Sequence, residues 1–164
     1  MKTLVLFYSL TGKTRLVAKA MAQAMDADIL EIKEVKPRST GFLTYLAGGF
    51  AARTDKASKI EPIDVNLKQY DIVFIGSPVW ASRPVPAVNS FIYSASFSGQ
   101  SIVPFFTLGG DNSDPAFKNT AAKIENSQGK VTGHFAVTTY KLSDEEILIR
   151  ARNAIENYSN SPSH

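Results

Sequence analysis

The sequence predicts a three-layer, doubly wound α/β fold built on a five-stranded parallel sheet, and three observations carry that expectation. Five short apolar runs rich in branched or aromatic residues recur along the 164 residues, and continuous apolar runs mark strands buried on both faces. Between them lie segments whose apolar residues recur at three- and four-residue spacing, the signature of helices with one buried face. Strand and helix alternate throughout, as a parallel sheet with crossovers on both faces requires.

The first run is Leu4–Tyr8. Its setting, MKTLVLFYSL, resembles the opening of a signal peptide. The run is shorter than the roughly 7–15 residues of a signal core and far below the roughly 20 of a membrane span. It reads as a buried first strand, and the expected location is cytoplasmic, without a membrane anchor. A helix follows over Thr14–Met25, aligning Leu16, Val17, Ala20, Met21 and Ala24. The second strand is Asp28–Ile32. The stretch from Glu34 to Tyr70 is long for one crossover, and Gly41–Arg53 accommodates a helix despite Gly48 and Gly49. The third strand, Ile72–Gly76, leads to a short helix over Ala87–Tyr93, and the fourth, Ile102–Thr107, to a helix over Pro115–Asn126 that gathers Phe117, Ala121 and Ile124. The fifth strand is Phe135–Thr139. The last helix, Asp144–Tyr158, opens with Ser143 and Glu146 at capping-box spacing. One domain over 1–158 with a polar tail, 159–164, accounts for the chain.

Composition narrows the chemistry. Hydrophobic residues make up 44% and charged residues 20%, as in soluble globular proteins. Cysteine is absent, which excludes disulfides, thiolate metal sites, iron–sulfur clusters and a cysteine nucleophile. The net charge of +3 raises the question of nucleic acid, but Lys and Arg are scattered and interleaved with acids, so no nucleic-acid partner is expected. With only His134 and His164, neither a histidine metal pair nor a Ser-His-Asp triad is available, and no metal site or catalytic side chain is assigned.

In open parallel sheets ligands bind beyond the carboxyl ends of the strands, which directs the search to three loops. The first, Ser9-Leu10-Thr11-Gly12-Lys13-Thr14, is dense in hydroxyl and ammonium donors and enters a helix N-terminus, a setting that favours a phosphate. The plainer alternative is a helix cap. A Walker A loop is excluded because Phe7 stands where its first glycine belongs, and neither G-x-G-x-x-G nor a Walker B aspartate is present. The second loop, Gly76-Ser77-Pro78-Val79-Trp80-Ala81-Ser82-Arg83-Pro84-Val85-Pro86, holds the sole Trp. A lone Trp commonly packs in a core, but small neighbours and a Pro-punctuated loop suit an indole lying flat on a planar ring. The third, Thr107-Leu108-Gly109-Gly110-Asp111-Asn112-Ser113-Asp114, has two glycines that let backbone amides approach a ligand edge; otherwise it is a turn with Asp114 as cap.

Ser9-x-Thr11-Gly12-x-Thr14, Gly76-Ser77-Pro78-Val79-Trp80 and Gly109-Gly110, in this order and spacing, resemble the flavodoxin family over almost the whole chain. The resemblance implies a sheet of order 2-1-3-4-5 and a non-covalently bound FMN. By resemblance Ser9, Leu10, Thr11, Gly12, Lys13 and Thr14 hold the phosphate. Pro78, Val79, Trp80, Ala81 and Ser82 cover one face of the flavin, with Trp80 stacked on it, and Leu108, Gly109, Gly110 and Asp111 line the pyrimidine edge.

Three departures from the family pattern bear on function. Ala81 and Ser82 stand where a glycine ordinarily follows the aromatic residue, the third loop brings no aromatic before Phe117, and the chain is basic. An electron carrier of flavodoxin type is the first expectation, with a redox protein as partner. An NAD(P)H-dependent flavin or quinone reductase on the same fold is the alternative, its hydride chemistry supplied by the cofactor. Arg83 is expected at a solvated rim, and Arg53, Lys56 and Lys59 on a solvated basic face. Tyr45, Leu46 and Phe50 fit the inner face of a helix packed over the flavin edge, and plain core packing is the role expected of them. No membrane partner is expected, and the chain is read as a monomer or homodimer.

Overall fold

The computed structural model describes residues 1–38 and 57–160. β1 (Thr3–Phe7), β2 (Asp28–Glu31), β3 (Ile72–Trp80), β5 (Ser101–Leu108) and β7 (Phe135–Thr138) form the parallel sheet, with short strands β4 (Arg83–Pro84) and β6 (Lys130–Val131) beside them. The helices are α1 (Lys13–Met25), α2 (Pro86–Ser94), α3 (Asp114–Asn126) and α4 (Asp144–Asn160), and a 3₁₀ turn spans Leu67–Gln69. The predicted helix over Gly41–Arg53 lies outside the described residues, as do Tyr45, Leu46, Phe50, Arg53 and Lys56.

The strand order is β2-β1-β3-β5, continued by β6 and β7 end to end along the outer edge of β5. With the two short pieces set aside this is the 2-1-3-4-5 order of a flavodoxin-like sheet. The strand count differs from the sequence expectation, seven rather than five, for two local reasons. The third strand does not stop at Gly76: Val79 and Trp80 pair antiparallel with Pro84 and Arg83, making a hairpin of the second loop. The fifth strand is split, because Lys130 and Val131 pair near the start of β5 whereas Phe135 to Thr138 pair near its end. α4 runs to Asn160, two residues beyond the expected boundary.

Alternation along the strands builds two cores. Leu4, Leu6 and Tyr8 of the first strand and its extension face one layer with Val73, Ile75 and Ile102, covered by Val88, Phe91 and Ile92 of α2 and Ile124 of α3. Val5, Phe7, Phe74, Val103 and Phe105 face the other, covered by Val17 and Met21 of α1 and Ile147, Ala151 and Ile155 of α4. Because β1 and β3 are buried on both sides, their sequences read as unbroken apolar runs rather than as alternating ones. Gly76 on β3 is required by its neighbour: a Cβ there would lie 2.2 Å from the Phe105 ring.

Candidate functional site

β1, β3 and β5 are adjacent and parallel, so the three loops at their carboxyl ends converge on one edge of the sheet. The first loop turns into α1 through Gly12, whose φ of 93° places it in the left-handed region open to glycine. Ser9 Oγ accepts hydrogen bonds from the amides of Gly12 (3.1 Å) and Arg15 (3.2 Å), two of the donors that a helix start leaves without a carbonyl. Ser9 therefore satisfies two amides at the start of α1, whose N-cap is Gly12. Thr11 is exposed. Lys13 Nζ lies 2.9 Å from Asp144 Oδ1 at the start of α4, so the loop's ammonium is paired across to the last helix. Thr14, buried in the first turn of α1, meets the hydroxyl of Thr107 at 2.8 Å, which ties the first loop to the strand that feeds the third. Leu10 packs on the α2 side of the core.

The second loop is a two-residue hairpin turn in which Ala81 (φ 47°) and Ser82 (φ 62°) both adopt left-handed backbone. That geometry matches the twist of the flanking strands but favours Asn and Gly. Both turn residues are exposed, whereas Ser77 is buried and staples the base of the hairpin by accepting from the Val85 amide (3.1 Å) and donating to the Pro78 carbonyl (2.8 Å). Pro78 and Val79 are half-buried on the way to the turn.

Trp80 is only 8% exposed and belongs to the core cluster on the α2 side. Its ring meets Tyr8 edge-on, with centroids 6.3 Å apart, and the Arg38 guanidinium lies 5.6 Å from its centroid. Arg38 is held by Glu34, at 2.9 and 3.1 Å from Nε to the two carboxylate oxygens, and Tyr8 donates to the same carboxylate at 3.0 Å. Burial, and then the Glu34 carboxylate, raise the Tyr8 phenol far above its ordinary pKa, so it remains a donor. The indole thus rests on a polar triad in which Tyr8 and Glu34 are buried and Arg38 is partly buried.

Sequence reasoning missed Tyr8, Glu34 and Arg38. A tyrosine ending an apolar strand, followed by an acid and a base four residues apart, was the available signal. A second charged pair, Arg15 with Glu31 at the end of β2, is bidentate at 2.9 and 2.6 Å.

In the third loop Leu108 is buried and Gly109 to Asn112 are exposed. Thr139 and Thr138 fasten it from β7, the Thr139 amide donating to the Leu108 carbonyl (2.9 Å) and Thr138 Oγ1 to that of Gly110 (3.2 Å). Asp114 does not cap α3. It is the helix's first residue, and its amide donates to Asn112 Oδ1 at 2.9 Å. The loop itself carries no aromatic ring, yet the exposed Tyr140 stands beside it: a Cβ on Gly109 would lie 3.6 Å from Tyr140 Cβ.

Elsewhere, a surface cavity of about 450 Å³ lined by Ile60, Ile63, Leu67 and Phe91 opens at the far end of α2 and includes none of the expected site residues. Among the described residues no cluster of three or more metal-ligating side chains exists, and no helix is long and apolar enough to cross a membrane.

An open parallel sheet of this order, with a donor-rich turn at α1 and two further loops beside it, defines a flavodoxin-like α/β protein. A family model described as flavodoxin matches residues 2–144, and the chain belongs to the flavodoxin family. No curated protein matches the sequence. Among solved structures, a Lactobacillus acidophilus flavoprotein determined in complex with FMN is similar with a TM-score of 0.73 and 22% identity, over 82% of this chain and 92% of that one. A Bacteroides uniformis protein provisionally described as a flavoprotein gives 0.74 and 25%, over 90% and 96%. Oxidised flavodoxin 2 of Bacillus cereus gives 0.60 and 14%, over 97% and 98%.

Proposed function

We propose that this chain binds FMN non-covalently and serves as an electron-transfer flavoprotein. The observation that carries this reading is the convergence of the three loops at one sheet edge, with an anion-type donor set at the start of α1. The donor set fits the group: the hydroxyls of Ser9, Thr11 and Thr14 and the amides of Lys13 and Thr14 in the first turn of α1 suit a terminal phosphate. Lys13 adds charge from the rim, shared with Asp144. Pro78, Val79, Trp80, Ala81 and Ser82 would flank the ring, and the Leu108–Asp111 backbone would meet its polar edge. When bound, FMN supplies one- and two-electron redox chemistry at its ring. The chain's part is to fix that ring: Tyr8, Glu34 and Arg38 hold Trp80 in place, Ser77 fixes the hairpin base, and Thr138 and Thr139 hold the third loop. Purified protein titrated with FMN should quench flavin fluorescence with micromolar affinity or better. Absence of both a bound chromophore and FMN uptake refutes the reading.

A second reading, an NAD(P)H-dependent flavin or quinone reductase, is favoured by the exposure of Gly109 to Asn112, which leaves room for a planar co-substrate. The basic net charge supports an anionic one. Rapid anaerobic mixing of the loaded protein with NADPH separates the two: immediate bleaching of the flavin absorbance supports the reductase, and unchanged absorbance supports the carrier.

A further inference from the structure

We infer that Thr107 is a positioning residue for the anion-binding end of the site, orienting the Thr14 hydroxyl so that its proton is delivered to a phosphate. The inference rests on the FMN reading above and extends it to Thr107, the residue at the junction of β5 and the third loop. Thr14 and Thr107 are 2% and 4% exposed respectively, and their hydroxyl oxygens are 2.8 Å apart.

Among the described residues that contact is the one hydrogen bond either hydroxyl makes. Two hydroxyls carry two protons, and one shared contact uses one of them. The second proton is buried and requires an acceptor. If Thr14 donates to Thr107, the orphaned proton sits on the strand. If Thr107 donates to Thr14, it sits in the first turn of α1, where the helix dipole favours an anion. A phosphate in that turn therefore selects the chain Thr107 to Thr14 to phosphate, in which each bond polarises the next.

Thr14 stands in the first turn of α1, where no helical carbonyl lies four residues back, and its hydroxyl is turned across to β5. Thr107 also opens the third loop, so the same hydroxyl pair holds the phosphate end in register with the ring-edge end.

The test compares FMN with riboflavin, which carries the same ring without the phosphate, by fluorescence titration of the full chain. For Thr107→Val, FMN affinity should fall by up to about tenfold, as for loss of the one neutral hydrogen bond that orients the Thr14 hydroxyl. Riboflavin affinity should stay unchanged, and Thr107→Ser should restore FMN binding. A merely structural role would weaken both ligands alike. Equal loss for both ligands, wild-type FMN affinity in Thr107→Val, or failure of Thr107→Ser to rescue overturns the inference. Thr107→Ala carries the same expectation if Thr107→Val does not fold. Wild-type protein that takes up no FMN overturns the underlying reading as well, and wild-type uptake with an indifferent Thr107→Val overturns this inference alone.

Discussion

Replacing Gly76 by Ala tests how tightly the floor of the second loop is packed. The added methyl would sit 2.2, 2.6 and 2.8 Å from three atoms of the Phe105 ring, where ordinary carbon contacts lie near roughly 3.5–4.0 Å. Phe105 is fully buried and stacks on Phe135 with centroids 5.7 Å apart and planes 14° from parallel, so the ring has little room to retreat. Gly76 pairs with Phe105 in the β3–β5 register, so the backbone cannot move away without breaking the ladder. The cost belongs at the upper end of overpacking, about 3 kcal/mol. For a domain of this size that lowers Tm by roughly 6–12 °C. Thermal and urea unfolding of Gly76→Ala, Phe105→Leu and the double variant form the assay. The double variant should recover much of the loss, giving a favourable coupling between two contacting sites. A Gly76→Ala variant within about 0.5 kcal/mol of wild type, the range of an inconsequential substitution, would refute the argument.

Three further outcomes are expected. Substituting Ala81 or Ser82 by Gly relieves left-handed strain of about 1–2 kcal/mol against a glycine entropy cost of roughly 0.5–1 kcal/mol. Each variant should be more stable by a few tenths to about 1 kcal/mol in urea titrations, and a loss of stability would contradict the turn geometry. Trp80→Ala should weaken FMN binding by about 1–3 kcal/mol, the range for a lost aromatic stacking partner; unchanged affinity by fluorescence titration would assign Trp80 to the core alone. His134 stacks on Phe117 with centroids 3.6 Å apart, and burial, opposed by Asp114, lowers its pKa. The unfolded state therefore binds a proton first as pH falls, so stability should drop below about pH 6.5. His134→Gln should flatten that slope in melts taken at pH 5.5 and 7.5, and an unchanged slope would exclude His134 as its source.

The parts of this fold that were legible in the sequence are those fixed by neighbours in the chain. Leu4 to Tyr8 and Ile102 to Thr107 are buried on both faces, so their apolar character alone announces strands. Ser143 and Glu146 form the capping box their spacing implies, with the Ser143 amide on Glu146 Oε2 at 2.7 Å and the Glu146 amide on Ser143 Oγ at 3.3 Å. What escaped depends on distant partners. Pro78 and Pro84 read as loop punctuation, yet both sit in ladders, Pro78 opposite Thr107 and Pro84 opposite Val79. The surroundings of Trp80 are set by Tyr8 and Arg38, contacts with no local signature. Thr107 looked like the end of an apolar strand, and its link to Thr14 spans 93 residues. The candidate site was thus legible as three loops, while the residues that brace them emerge only from the packing.

The division of the outermost strand into Lys130–Val131 and Phe135–Thr138 bears on how this chain keeps to itself. A long, flat edge strand offers a row of free amides and carbonyls to any passing chain and so seeds aggregation. Here that row is interrupted at Thr132, Gly133 and His134. The opposite edge, β2, is four residues long and begins and ends on Asp28 and Glu31. Among the described residues neither margin of the sheet presents an extended uncharged template for an added strand.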